Sequence, residues 1–238
     1  MITMKEHKPL GIKNYGSIGH LPNSRMGPAD HHVHEGQAVI CTTKKRDKND
    51  VIIVTEKLDG SNVGVAILNG QVLALGRSGY LASTSKYKQH QMFSDWVKQN
   101  ENRFKALLSE GQRCIGEWLA QVHGTKYDLQ HEPFVIFDIM EGHKRLPWSI
   151  TRPRVINGGF ILPQEVNYGQ PCSVETAMER LGEHGFHGAI DPIEGAVWRV
   201  ERNGEFDFMA KFVRSDKQDG KYLPEQNGNG IEMWNWNL

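Results

Sequence analysis

Glu56-Lys57-Leu58-Asp59-Gly60-Ser61-Asn62 follows a β-branched run, Val51 to Thr55, and precedes an alternating one, Val63, Val65 and Ile67. The first run reads as a buried strand and the second as a half-buried one, so the heptapeptide connects two strands through a glycine turn. A lysine held at a strand end can be fixed and partly dried. Burial or nearby cations then shift its pKa and make the amine a nucleophile. Lys-x-Asp-Gly alone arises by chance in roughly 5% of chains this long, so the flanking sequence must carry the reading.

Downstream, Asn69-Gly70 marks a tight hairpin, and Val72, Leu73 and Leu75 lead to Gly76-Arg77. Upstream, Ala38 to Thr42 reads as another strand, separated from Val51 by the basic loop Lys44-Lys45-Arg46-Asp47-Lys48. Residues 86–108 carry helix formers, with Met92, Phe93, Trp96 and Val97 on one apolar face. Strands resume at Arg113 to Leu119 and Phe134 to Ile139. Residues 142–172 are punctuated by proline and glycine and give no assignment. Ser173 can cap a short helix reaching about Glu183. A last hairpin runs from Gly195 to Glu201 through Asn203-Gly204 and back from Glu205 to Val213. Hairpins without a βαβ rhythm predict an α+β fold of packed, mostly antiparallel sheets with flanking helices. One domain is expected over residues 1–238: an irregular lead-in (1–36), a core (37–214) and a tail (215–238).

The 28 basic and 28 acidic residues balance, so nucleic-acid binding would rest on local patches rather than net charge. No apolar run nears the ~20 residues of a membrane span, and Met1 to Leu10 lacks the apolar stretch of a signal peptide. Cys41, Cys114 and Cys172 are dispersed, which fits a reducing, cytoplasmic compartment. His31, His32 and His34 match no common ligand spacing and read as an exposed cluster.

Further charges stand inside apolar strand sequence: Arg77, Glu117 in Gly116-Glu117-Trp118, Glu194 before Gly195, and Lys211 near the end of the last hairpin. Charged residues are seldom buried unless paired, so these are expected to converge on one pocket with Lys57. In this order, together with Phe137-Asp138-Ile139 and Ala210-Lys211-Phe212, the set resembles the covalent nucleotidyltransferase superfamily of polynucleotide ligases and RNA capping enzymes. Asn62, Arg77 and Glu56 make it most similar to the ATP-dependent RNA ligases of the double-strand-sealing type. Leu58 stands where capping enzymes carry threonine.

The resemblance implies an adenylyltransferase (ATP-grasp-like) domain and a residue-by-residue chemistry. Lys57 would attack the α-phosphate of ATP and form a lysyl-adenylate. Phe137 would stack on the adenine, Glu56 would read its edge, and Glu117 would hold the ribose. Asn62 and Arg77 would contact ribose or phosphate. Glu194 would position a hydrated Mg²⁺ or Mn²⁺ through water, and Lys211 would neutralise phosphate charge. The implied function is joining of 3′-OH and 5′-phosphate ends in RNA repair, on RNA ends or nicked duplexes (RNA, RNA/DNA hybrid or DNA), with Arg25, Lys44, Lys45, Arg214 and Lys217 as candidate nucleic-acid contacts. Two departures stand out. The usual Lys-x-Lys is reduced to Lys211, with Val213 in the second place. Only 27 residues follow Lys211, too few for an appended OB-fold. A minimal DNA nick ligase, or a self-adenylylating end-binding module relying on a separate end-processing or OB-fold partner, therefore stays open.

Overall fold

The computed structural model describes residues 8–236, so the first seven residues of the lead-in and the last two of the tail lie outside it. Two five-stranded sheets face each other. The first has the order β1-β10-β9-β2-β8, formed by Gly19–His20, Glu205–Val213, Gly195–Arg202, Asp50–Lys57 and Glu165–Gly169. The second runs β4-β3-β5-β6-β7, formed by Gln71–Gly76, Ser61–Leu68, Gln112–Trp118, Phe134–Glu141 and Lys144–Arg145. Neighbouring strands are antiparallel except that β1 lies parallel to β10. The two hairpins turn where expected: Asn69 and Gly70 have φ of 51° and 73°, and Asn203 and Gly204 have 53° and 77°, as type I′ geometry requires.

Period-two alternation divides the first sheet cleanly. Ile52, Val54, Ala196, Trp198, Val200 and Ala210 face a core shared with α1 (Glu35–Thr42) and α5 (Val174–Leu181). Ile53, Thr55, Lys57, Val197, Arg199, Met209 and Lys211 face the cleft between the sheets. The outer face of the second sheet is covered by α2 (Lys88–Gln99), α3 (Glu101–Leu107) and α4 (Trp148–Asn157), over an aromatic cluster of Phe93, Trp96, Phe104, Trp118 and Phe134.

One local expectation needs correction, and two stretches left open are resolved. Ala38 to Thr42 is helical despite its β-branched residues: Gln37 Oε1 accepts the His34 N–H at 3.2 Å, and Ala38, Ile40 and Cys41 bury against the first core. Packing overrides strand preference there. The helical stretch 86–108 is two helices, broken at Asn100. The unassigned segment 142–172 supplies β7, α4 and the edge strand β8. Ser173 caps α5 as expected, accepting the Thr176 N–H at 3.2 Å.

Candidate active site

Residues 57–61 carry the chain from one sheet to the other, ending β2 at Lys57 and opening β3 at Ser61. Each residue type answers a local demand. Leu58 buries in the first core. Asp59 Oδ2 accepts the Gly124 N–H at 2.9 Å and pairs with Lys217 Nζ at 2.5 Å, while the Asp59 N–H donates to the Tyr127 hydroxyl at 3.0 Å. Gly60 packs directly on the Trp118 carbonyl, where any Cβ would collide. The crossing is thereby locked, and Lys57 is aimed into a cleft of about 1140 Å³.

Cross-strand register assembles the rest. Lys57 lies opposite Gly195, which brings the preceding Glu194 to the lysine; Lys57 Nζ donates to Glu194 Oε2 at 2.7 Å. Burial depresses the Lys57 ammonium, but Glu194 and Glu117 outweigh it and hold the pKa above its ordinary value. Lys57 is therefore held as an ammonium. Asn62 pairs with Glu117 across β3 and β5, and Glu117 Oε1 accepts the Gly60 N–H at 3.2 Å. Burial, only partly countered by Lys57, pushes Glu117 up to about 8. Asn62 Oδ1 is buried without a partner among the described residues, a group poised for something that enters the cleft.

Phe137 is the residue skipped in the β5–β6 register, where Ile115 pairs with Asp138 and Gly116 with Ile136. Such a bulge re-aims side chains; Phe137 is half-buried, lines the cleft, and meets Tyr15 edge-on with centroids 5.4 Å apart. Arg77, just beyond β4, is exposed at the cleft and makes no ion pair among the described residues. Lys211 enters from β10 and pairs with Asp30 at 3.3 Å. The structure thus brings Lys57, Asn62, Arg77, Glu117, Phe137, Glu194 and Lys211 to one cleft.

Other sequence-predicted residues fall elsewhere. Glu56 borders the cleft, but alternation turns its carboxylate to the opposite face, where it accepts the Phe186 N–H at 3.0 Å and packs on Gly185. Lys217 is 4% exposed and consumed by Asp59, so it cannot meet a substrate phosphate. Lys44 and Lys45 precede the far end of β2, roughly 23 Å along the strand from Lys57, and do not line the cleft. Arg214 is half-buried beyond β10, 3.5 Å from Asp216, and Val213 is buried in the row of Lys57, so β10 offers the cleft one cation. Arg25 pairs with the cleft-lining Asp219 at 2.5 Å. His31, His32 and His34 are exposed, and no three metal-binding side chains converge among the described residues.

Sequence reasoning missed a buried network. Asp138, fully buried, accepts the Tyr15 hydroxyl at 2.7 Å, Arg145 Nε at 3.0 Å and an Arg199 amino group at 2.5 Å. Arg199, charged between Trp198 and Val200 in an apolar strand, carried the same signal as Glu194 and could have been flagged.

Glu56 yields a pH prediction. Burial raises its pKa to about 7, against the lowering effect of the Phe186 N–H. The folded state thus holds the proton more tightly than the unfolded one, so this group's stabilisation is full below its ordinary range and is lost as pH rises through 7. Two to three pK units correspond to about 3 kcal/mol. Glu56→Gln should abolish most of that decline in denaturant unfolding compared at pH 5 and 8; equal slopes in both proteins would refute it.

The chain matches the sequence profile of the RNA ligase family over residues 50–213, more than two-thirds of its length. Among solved structures it resembles a Naegleria gruberi RNA ligase variant with ATP and Mn (TM-score 0.54, 15% identity, 83% of this chain and 59% of that one). It also resembles a variant of the same ligase with AMP and Mn (0.51, 16%, 85% and 61%). An archaeal ATP-dependent RNA ligase gives 0.44 at 21% identity over 70% of this chain and 43% of that one. At 15–16% identity the two Naegleria gruberi matches speak for the fold alone. The chain spans about half the length of the solved chains it matches, 43–59% in the first three. No curated protein sequence matches it.

Proposed function

Because the chain belongs to the RNA ligase family, we propose that it is an ATP-dependent RNA ligase whose nucleophile is Lys57. The observation that carries this reading is the convergence of Lys57, Asn62, Arg77, Glu117, Phe137, Glu194 and Lys211, drawn from both sheets, on one cleft. We take residues 8–236 as one nucleotidyltransferase unit, with lead-in and tail contributing to the cleft wall.

In this reading adenine lies against the exposed face of Phe137. The Lys57 amine attacks the α-phosphorus as the bond to pyrophosphate breaks, leaving a P–N bond. Its proton must leave first, and Glu194 at 2.7 Å is the acceptor in reach. Arg77 and Lys211 oppose the charge gathering on the phosphates. AMP then passes to a 5′-phosphate, and a 3′-hydroxyl displaces it to seal the strand. The donor set fits a hydrated Mg²⁺ or Mn²⁺: Glu194, with the unpartnered Asn62 Oδ1 nearby in the cleft, suits an ion that keeps most of its waters. Such an ion supplies charge neutralisation at the phosphates.

The test is incubation with α-labelled ATP and a divalent metal, then with nicked duplexes bearing RNA or DNA at the 3′-hydroxyl strand. Sealing of the RNA nick is expected. Sealing confined to DNA would replace RNA ligation with DNA nick ligation, and label without sealing would point to a module that needs a partner. Absence of any label would overturn the reading. Strand binding should also be salt-sensitive despite zero net charge. Three phosphate contacts, such as Arg25, Arg77 and Arg214, predict about a 40-fold loss of affinity between about 50 and 200 mM salt. A flat salt titration would exclude phosphate anchoring.

A further inference from the structure

The lead-in is built into the cleft through β10. The Leu21 N–H donates to the Lys211 carbonyl at 2.8 Å, the Arg25 N–H to the Val213 carbonyl at 3.0 Å, and the Val213 N–H to Ser24 Oγ at 2.9 Å. A second pass of the lead-in closes on the first: the His20 N–H donates to the His31 carbonyl at 2.8 Å and the Val33 N–H to the His20 carbonyl at 2.9 Å. Gly19 permits that approach, since a Cβ would strike Val33. Asp30 sits on the turn joining the two passes, and its carboxylate accepts the Gly27 N–H at 2.9 Å.

Asp30 spends its other oxygen on Lys211 Nζ at 3.3 Å and lies 3.2 Å from the buried His20 Nε2, whose Nδ1 is 2.6 Å from Ser24 Oγ. The groups facing Lys211 are Asp30 and the titratable His20 from the lead-in, Lys57 from β2, and Glu194 ahead of β9; burial and Lys211 hold the His20 pKa down. Burial and the like charge of Lys57 both work against a Lys211 ammonium in this place; Asp30 is the carboxylate bonded to it. Asp30 itself stays ionised: although burial acts the other way, the Gly27 N–H and Lys211 hold it down to about 2. A lysine stem has four rotatable carbons, so without that bond nothing on β10 restrains where the ammonium points.

We propose that Asp30 is a positioning residue that holds the Lys211 ammonium at the reacting phosphates, making the lead-in a working part of the adenylylation site. The inference rests on the ligase reading. Asp30 need not touch ATP; it acts through Lys211, so its loss should slow the chemical step more than it weakens nucleotide binding.

The experiment is single-turnover formation of the labelled enzyme at varied ATP, for wild type, Asp30→Asn, Asp30→Glu, Lys211→Met and the Asp30→Asn/Lys211→Met pair. Asp30→Asn should lower the maximal rate about 10- to 100-fold while half-saturating ATP moves less than about 3-fold. Asp30→Glu should recover part of the rate, and the paired variant should be no slower than Lys211→Met alone. Three results would overturn the inference: a rate for Asp30→Asn near wild type, multiplying losses in the pair, or tighter ATP binding with faster labelling. The last would make Asp30 an inhibitory counter-ion. Unlabelled wild type would instead remove the ligase reading and this inference with it; labelled wild type beside an unaffected Asp30→Asn removes this inference alone.

Discussion

Lys57→Ala will form no covalent adduct with α-labelled ATP, a loss of at least on the order of 10³-fold in the adenylylation rate. The two neighbouring lysines are engaged elsewhere. Lys211 is tied to Asp30, and Lys217 is buried against Asp59. The wild-type adduct should be a phosphoramidate, released by mild acid and resistant to base. The same variant gives a sharper second reading. A nick whose 5′-phosphate already carries AMP needs no nucleophilic lysine, so Lys57→Ala should still seal it, with a far smaller deficit than on ordinary ends. Persistent labelling of the variant, or an adduct that survives acid, would move the nucleophile elsewhere.

Asp138→Asn should produce the largest loss of stability. The carboxylate is fully buried and holds Arg199, Arg145 and the Tyr15 hydroxyl together. Arg199 also donates to Glu201 Oε1 at 2.7 Å and the Leu146 carbonyl at 2.6 Å, so one buried charge ties β6 of the second sheet to β9 of the first. Taking one partner from a buried ion pair leaves an uncompensated charge and costs about 3–5 kcal/mol. At roughly 2–4 °C per kcal/mol for a chain this size, the melting temperature should fall by about 6–20 °C. A shift under about 2 °C would mean that the arginines find water or other acceptors once Asp138 is gone.

The strands, their alternation and both Asn-Gly turns were legible because their signals are local: a period of two and residues that tolerate positive φ. The convergence of Lys57, Glu194 and Lys211 was legible for a related reason. Each is a charge in an apolar strand, and such charges need a common destination. What stayed hidden depends on three dimensions. Whether Ala38 to Thr42 coils or extends is decided by the core it packs on. Glu56 borders the cleft beside Lys57, yet alternation along the strand hands one of its carboxylate oxygens to the Phe186 N–H, a contact the sequence does not announce. Lys217 resembled a surface cation until Asp59 met it from 158 residues away, and Asp30 meets Lys211 across 181. Nothing in a linear chain announces pairings of that length.

The parallel pairing of β1 with β10 bears on how the protein comes to exist. Gly19 and His20 are made early, yet their partners Ala210 and Lys211 come nearly two hundred residues later. During synthesis, therefore, the Gly19–His20 strand must wait unpaired while the residues between it and Lys211 emerge, and the wall of the cleft that carries Lys211 can close only after that. Loop closure over that span is entropically costly, which places this pairing late in folding. The second sheet, built from near neighbours in sequence, can be complete long before. A nascent chain would thus own its aromatic core and its Phe137 platform well before it owns a competent nucleotide site, so an unfinished ribosome-bound chain holds no assembled catalyst.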